Sequence, residues 1–448
     1  MIPAHEVVER ALAAARPGDG VVVVVDETTH AHLRWAGATA TAAGHVVRRL
    51  VTAAAITPAG TVGVVSASGA LDATAVRDLV ATASATARRP EAEGGAWPLV
   101  ADDRPPAPDW SDPCVGASPD VLASTAAEIA DAAGRVRGDL HGYVEHEVRT
   151  TLLGTTTGLR LRHEQPTALV DLTARTANGS SWAGVEVDSP AELDLPGLVA
   201  SLEQRLAWGA RRLDLVPGGY EVLLPPSCTA DLMRQLYWSA GALDAEDGRG
   251  AFAGRLGSRL SSLPLTLRSD PAAAGVGCDP FLVARTSGAD TAVSDNGLAL
   301  APTSWITDGV LTALVHTRAS ADRSGARVTP RVGNLVLEGP GGPSLAEMVA
   351  STREGLLLTS LWYLRDVDPS ALLLTGSTRD GVHLVRDGEV VAAVDDFRFN
   401  ESPLRLLDRV LEVGATTVAL AREWDDERTR TAMPPLRVAD FTAVGRAS

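Results

Sequence analysis

The fold of this chain is decided by residues 218–239, which read GGYEVLLPPSCTADLMRQLYWS. The apolar run that ends at Leu224 predicts a short strand, and the prolines at 225 and 226 turn the chain out of it. The spacing of apolar residues beyond this turn predicts a helix over 228–240. A strand, a turn and a helix therefore open the second half of the chain.

Downstream of this unit, the sequence predicts only two further helices, at 344–352 and 402–413. Short alternating patterns, typical of strands, fill the rest of this half; they lie at 298–305, 310–316, 356–364, 371–375, 381–386 and 390–395. Asp308-Gly309 and Asp387-Gly388 have the composition of tight hairpin turns. The second half is predicted to be a mostly antiparallel sheet that curls into a barrel-like body.

Upstream, the pattern predicts a layered α+β domain. Its predicted helices cover residues 4–16, 71–88 (opened by Asp72) and 119–134, and its predicted strands include 21–25, 60–66, 141–151, 158–164 and 168–177. Residues 190–196, which begin and end with proline, are predicted to be the domain boundary, and an amphipathic helix over 198–213 follows them. We therefore predict an α+β fold with an N-terminal domain over 1–195 and a β-rich C-terminal domain over 196–448, a length that favours two cores.

Charge and cysteine usage exclude several classes of function. The net charge is −16 and all 40 basic residues are arginine, so no nucleic acid or anionic membrane partner is expected. Three widely spaced cysteines and an N-terminus without an apolar signal segment predict a cytoplasmic protein. The apolar runs are too short to span a bilayer. A short acidic run at 425–427 is predicted to be a solvated patch.

Residues 218–239 and four further segments resemble the TldD/TldE (PmbA) family of peptidases. The further segments are Leu33–Ala36 with Thr41 and Gly44, residues 155–160, residues 252–258 with 265–271, and Arg331–Leu335. They occur in both halves of the chain and in the order of the family. One departure is Ser294–Gly297, where family members commonly have Asp-Glu-Gly.

The resemblance also identifies a degenerate metal site. In the TldD-type subunit this helix carries a His-Glu-x-x-x-His motif that binds zinc, and the matching positions here are Arg234, Gln235 and Ser239. They do not form a zinc ligand set. The family's third ligand is a Cys, which is absent from residues 375–381. We expect Arg234 either to occupy the place of the metal beside an Asp or to be exposed to solvent.

The resemblance therefore implies a TldE-like subunit with no catalytic or metal-binding residue of its own. It implies a TldD-like metallopeptidase subunit as partner, with zinc in that partner, and unfolded or small peptides as substrates, including precursors of peptide natural products. Such a chain would help to bind an extended peptide, for example by adding it to a sheet edge. The alternative from another class is a non-enzymatic peptide-binding or scaffold protein that keeps the fold without peptidase work.

Other candidate sites have weaker patterns. His146-Glu147 and His163-Glu164 lie in alternating strand patterns without the second His that a zincin requires. Cys228 precedes a helix, but it lacks a recognisable partner base among His316 and His383. Residues 339–343 lack the Lys-Ser/Thr of a phosphate-binding loop and are predicted to be a turn. The acidic residues Asp270, Asp279, Asp295 and Asp308 are spread over separate loops and are predicted to be turn residues.

Overall fold

The computed structural model describes residues 2–37, 39–92, 94–101, 103–136, 138–423 and 429–446. The acidic run predicted at 425–427 lies outside these ranges. No helix in the described ranges is long and apolar enough to cross a membrane.

Six antiparallel strands form the first sheet: β1 (Gly20–Ala36), β2 (Thr39–Ile56), β3 (Val62–Ser68), β4 (Asp139–Thr155), β5 (Arg160–Thr176) and β6 (Gly179–Val187). Their order is β3-β2-β1-β4-β5-β6. The continuous valine run 21–25 is buried on both faces of β1. Alternate valines pack under the N-terminal helices, whereas Val22 and Val24 pack with Phe281 and Val293 from the second half of the chain. A strand covered on both faces has no polar alternation.

Among the residues described in this part of the chain are four α-helices: α1 (Ala4–Ala13), α2 (Ala73–Thr86), α3 (Ala123–Arg135) and α4 (Leu195–Trp208). Asp72 caps α2 as predicted, because its carboxylate accepts the N–H groups of Thr74 and Ala75. Helix α4 packs on β5 and β6, and Leu202 lies in the same core as these strands. The domain boundary at 195/196 stays a prediction.

The second half has five helices within the described residues: α5 (Pro226–Trp238), α6 (Ala242–Glu246), α7 (Arg318–Ser324), α8 (Leu345–Ser351) and α9 (Pro403–Asp408). Its strands are β7 (Arg212–Leu213), β8 (Gly218–Leu224), β9 (Thr266–Ser269), β10 (Thr303–Thr307), β11 (Val310–Leu311), β12 (Asn334–Glu338), β13 (Glu354–Asp368), β14 (Leu373–Arg386), β15 (Glu389–Val394), β16 (Phe397–Glu401), β17 (Val410–Val413), β18 (Thr417–Ala419), β19 (Arg430–Met433) and β20 (Leu436–Arg446).

Five of these strands close into a barrel. Their order is β13-β8-β20-β16-β14, and a further pairing between β13 and β14 completes the ring. A separate sheet has the order β11-β10-β9-β12-β19-β18. Helix α5 packs against β8 and β13 of the barrel and against β18 and β19 of the separate sheet. All its residues from Cys228 to Tyr237 are therefore buried. The predicted α+β class and barrel-like second half are confirmed.

Two local predictions in this half need correction. The segments at 371–375 and 381–386 are not separate strands but parts of the single strand β14. The helix predicted over 402–413 ends at Asp408, and residues 410–413 pair with β20 as strand β17. Both predicted Asp-Gly turns are present, with positive φ at Asp308 and Asp387. Short-range turn chemistry was thus more informative than the extent of each element.

Candidate functional site

Helix α5 and its C-cap Ser239 hold the three positions that match the metal-binding motif of a TldD-type subunit. Arg234 and Gln235 are buried, with 2% and 8% of their surface exposed, so the alternative of an exposed Arg234 is wrong. The Arg234 guanidinium lies 4.8 Å from the centroid of the Trp238 ring. Ser239 is exposed at the end of the helix, and its Oγ donates to the carbonyl of Gln235 at 2.9 Å. Gln235 and Ser239 therefore lie on the same side of α5, as predicted, but Gln235 is buried and Ser239 is exposed.

Asp231 lies one turn before Arg234 and is fully buried. Its Oδ1 accepts the backbone N–H of Glu423 at 3.0 Å. Its Oδ2 has no hydrogen-bond partner among the described residues. Burial raises the pKa of Asp231 to about 7, although the Glu423 N–H and the charge of Arg234 act in the opposite direction. The charge of Arg234 thus acts on Asp231, and the expectation that Arg234 pairs with an acidic residue stays a prediction.

The segment 375–381, where the family has its Cys ligand, lies on β14. Asp380 in this segment is buried, and its carboxylate accepts from Ser180 Oγ at 2.7 Å. The same carboxylate pairs with Arg422 at 2.5 Å. Arg422 directly precedes Glu423, which binds Asp231 on α5. The two segments that are far apart in sequence are therefore joined through residues 422 and 423.

Aromatic side chains surround this junction. The Arg422 guanidinium lies 4.7 Å from the ring of Trp182 on β6 and 5.6 Å from the ring of Trp362 on β13. Contacts of this kind stabilise a buried cation by the quadrupole of the ring. The Glu423 carboxylate accepts the backbone N–H groups of Tyr363 and Leu364 at 2.7 and 2.9 Å. The segment 422–423 is thereby fixed against the barrel.

The side chains at the predicted metal position do not fit zinc. A guanidinium has no lone pair to donate to a metal, and Ser239 lies at the surface while Arg234 is buried. Within the part of the chain that the structure describes, no group of three or more His, Cys, Asp or Glu side chains could hold a metal ion. The buried side chains around this position form ion pairs and hydrogen bonds with one another.

Cys228 does not have the environment of a nucleophile. It is fully buried on α5, and burial together with the charge of Asp231 raises the pKa of its thiol well above the ordinary value. His316 contacts Ser320 at 3.3 Å. His383 lies on β14, where burial lowers its pKa to about 4. In the described ranges, neither histidine is hydrogen-bonded to Cys228.

The remaining candidates lie apart from one another. His146 is on β4 and His163 on β5, as the strand patterns predicted. Residues 339–343 form a loop that leads into α8. The four acidic candidates serve local structure or pair with arginine, and they do not form one site: Asp279 pairs with Arg149, Asp295 with Arg318, Asp308 is in a turn, and Asp270 accepts the N–H of Ala272.

A cleft that the sequence analysis missed opens beside the C-terminal end of α5. It has a cavity volume of about 660 Å³, and Trp238 and Arg331 are among its lining residues. Arg331 donates to the carbonyls of Tyr237 and Trp238 at 3.1 and 3.3 Å and pairs with Asp290. A cation that binds the last carbonyls of a helix also interacts favourably with its dipole. Only its place in the segment 331–335 could have indicated Arg331 from sequence.

Comparisons with known proteins cover both the sequence and the fold. Residues 217–445 match the family model of the PmbA/TldA metallopeptidase C-terminal domain. No curated protein sequence matches the chain.

Three solved structures share the fold over almost the whole chain. A putative modulator of DNA gyrase from Thermotoga maritima is 17% identical, with a TM-score of 0.76 over 98% of this chain and 99% of that chain. TldE from Thermococcus kodakarensis is 16% identical, with a TM-score of 0.74 and the same coverage. A putative modulator of DNA gyrase from Bacteroides thetaiotaomicron is 14% identical, with a TM-score of 0.76 over 99% and 98%.

Proposed function

The chain belongs to the PmbA/TldD metallopeptidase family, and from this premise we propose that it is a TldE-like subunit without a metal of its own. It acts with a TldD-like partner that supplies zinc and the general base. The substrates are unfolded or small peptides, and the compartment is the cytoplasm, where its three free cysteines would stay reduced.

The observation that carries this proposal is the burial of Arg234 beside Asp231 on α5. A fixed cation, 2% exposed and stacked on Trp238, occupies the helix face where the resemblance implies zinc in a TldD-type subunit. A cation at this point opposes the binding of a second cation by direct repulsion. The position has therefore exchanged metal binding for structural support.

The second metal-binding segment supports the same conclusion. Residues 375–381 contain no Cys, and their buried carboxylate, Asp380, is already bound by Arg422 and Ser180. Redirecting this carboxylate to a metal would leave Arg422 buried without its partner, which is costly. Both segments that match the metal-binding positions of a TldD-type subunit thus contain buried polar groups bound by ion pairs or hydrogen bonds within the protein.

In this proposal the chain binds the peptide and closes the active site of the TldD-like partner. The 660 Å³ cleft beside Trp238 is within the size range of sites for small ligands. It adjoins the end of α5, so an extended peptide bound there would lie next to the position of the lost metal.

Two measurements test the proposal. Zinc is first measured in the chain purified alone after dialysis against a chelator, and less than a tenth of an equivalent is expected. The chain is then co-expressed with each TldD-like protein of the same genome, with copurification and cleavage of a labelled unfolded peptide as the two readouts. Cleavage is expected only when both subunits are present.

Variants make the second measurement specific to the cleft. Trp238→Ala is expected to weaken peptide cleavage by the pair, whereas Arg249→Gln, at an exposed residue paired with Asp244 and Asp247, should leave it unchanged. Stoichiometric zinc in the chain alone would contradict the proposal. Failure of every TldD-like protein to bind the chain would instead favour the scaffold alternative.

A further inference from the structure

A small cavity lies where the β5–β6 turn meets α4, β14 and β15. It has a volume of about 80 Å³, and its lining includes Ser180, Arg205, Arg212, Gly381, His383 and Asp396. A single water needs roughly 10–15 Å³ of such volume. The cavity can therefore hold a few waters or one small ion, but no larger organic molecule.

His383 presents unsatisfied polar atoms to this cavity. Only 3% of its surface is exposed, and neither Nδ1 nor Nε2 has a hydrogen-bond partner in the described ranges. The ring packs edge-on against Trp208, with centroids 5.1 Å apart. Gly381, at φ +115°, leaves room for the ring, because a Cβ there would come within 3.0 Å of Nε2. Buried polar groups are nearly always hydrogen-bonded, so a partner for His383 is expected inside the cavity.

Arg205 brings a positive charge to the same cavity. Its Nη1 donates to the carbonyl of Trp182 at 2.6 Å, but no carboxylate among the described residues lies within the 4.0 Å of an ion pair. Burial lowers the pKa of the Arg205 guanidinium. The neighbouring Arg212, in contrast, pairs with Asp395 at 2.7 Å. Arg205 is half-buried, and a charge with reduced access to water is stabilised by a counter-ion.

We propose that the cavity binds a small monovalent anion, of halide or formate size, between the Arg205 guanidinium and an N–H of His383. A metal ion is disfavoured, since Arg205 would repel it and no three ligating side chains converge among the described residues. A dianion is disfavoured by charge, because Arg205 is the cavity-lining cation without a carboxylate and Asp396 lines the same space. The site is independent of the proposed peptidase role.

Asp396 couples this site to pH. The other charged or titratable groups that line the cavity or act on the Asp396 carboxyl are Arg205 on α4, Arg212 on β7, and Asp380 and His383 on β14. Burial raises the pKa of Asp396 to about 6, and the charge of Asp380 adds to the effect. A bound anion favours the protonated carboxyl, so the affinity for the anion should increase as pH falls. If only the protonated form binds, the gain in affinity from pH 7.5 to 5.5 is up to about 25-fold.

The test uses the full chain in sodium gluconate, whose anion is too large for the cavity. Gluconate is replaced at constant ionic strength by sodium bromide, sodium formate or sodium sulfate, and the Tm is measured at pH 5.5 and 7.5. Bromide and formate are expected to raise the Tm in a saturable way, because they bind only the folded state. Sulfate is expected to have no saturable effect.

Variants then assign the effect to the cavity. Arg205→Met and His383→Leu should each weaken anion binding at least about tenfold, whereas Arg249→Gln should retain it. If Arg205→Met fails to fold, His383→Leu decides the question, since the ring nitrogens of His383 have no hydrogen-bond partner among the described residues to lose. A bromide anomalous peak between Arg205 and His383 would confirm the position. An equal response in all variants, or no peak at a saturating bromide concentration, would overturn the proposal.

Discussion

The carboxylate of Asp380 lies 2.5 Å from the guanidinium of Arg422, and only 3% and 9% of these two side chains are exposed. The pair links β14 to the segment that holds Asp231 on α5, and Ser180 extends the link to the first sheet. A buried ion pair of this kind contributes little net stability as a pair, but removing one member leaves the other charge uncompensated.

Arg422→Met should therefore destabilise the protein strongly. It leaves the buried Asp380 with only the partly exposed Arg379, 3.8 Å away, as a cation and removes the contact with Trp182. A loss of about 3 kcal/mol in unfolding free energy is expected. The measurement is equilibrium unfolding in urea. Arg249→Gln is the control, because its partners are exposed and a change within about 0.5 kcal/mol is expected. Similar losses of unfolding free energy in both variants would show that the buried Asp380–Arg422 pair matters no more to stability than an exposed ion pair.

Asp231 should make the stability dependent on pH. Burial raises its folded-state pKa to about 7 from an ordinary 3.8, so the folded state binds more protons than the unfolded state between these values. Its contribution is fully present below pH 3.8 and is lost as pH rises through 7. Asp231→Asn should flatten the stability profile between pH 5 and 8 and raise the Tm relative to the wild type at pH 8. Parallel profiles for the two proteins would contradict this assignment.

Local chemistry explains what the sequence predicted well. The Asp308-Gly309 and Asp387-Gly388 turns need only two residues with positive φ, and the capping of α2 by Asp72 needs only one carboxylate near free N–H groups. Such features depend on a few neighbouring residues. Helix α5 could be predicted for the same reason, because its apolar residues recur at helical spacing within one short segment.

The site could not be predicted in the same way, because it depends on contacts between distant segments. Arg422 meets Asp380 from 42 positions further along the chain, and no local pattern marks either residue. The polar residues of 375–381 also did not indicate a strand. In β14, alternate side chains of this segment are buried even though most of them are polar. The cavity around His383 depends on α4, β14 and the β5–β6 turn together, so composition gave no signal for it.

The three cysteines should react slowly in the folded protein. Burial raises the pKa of Cys114 and Cys278 to about 12, and it raises the pKa of Cys228 well above its ordinary value. Since the thiolate is the reactive form, a colorimetric thiol reagent at pH 8 should detect three thiols in denaturant and react only slowly without it. Cys228→Ala should leave peptide cleavage with a TldD-like partner unchanged. Fast native labelling of Cys228 would revive the nucleophile hypothesis.

Restoring the motif residues on α5 should not create a peptidase. The triple variant Arg234→His, Gln235→Glu and Ser239→His supplies His-Glu-x-x-x-His, but residues 375–381 still contain no Cys. The first imidazole would also be buried while the second lies at the exposed end of the helix. We expect no tightly bound zinc after dialysis and no cleavage of a labelled peptide by the variant alone.

The control for this experiment is Arg234→Met, which removes the cation without adding a ligand. Both variants should lose stability to a similar extent, because Trp238 loses the guanidinium that lies 4.8 Å from its ring and the buried Asp231 loses the charge of Arg234. The readouts are the metal content and the Tm after addition of zinc, which should not rise in either protein. Robust zinc-dependent cleavage by the triple variant would place the third ligand outside residues 375–381.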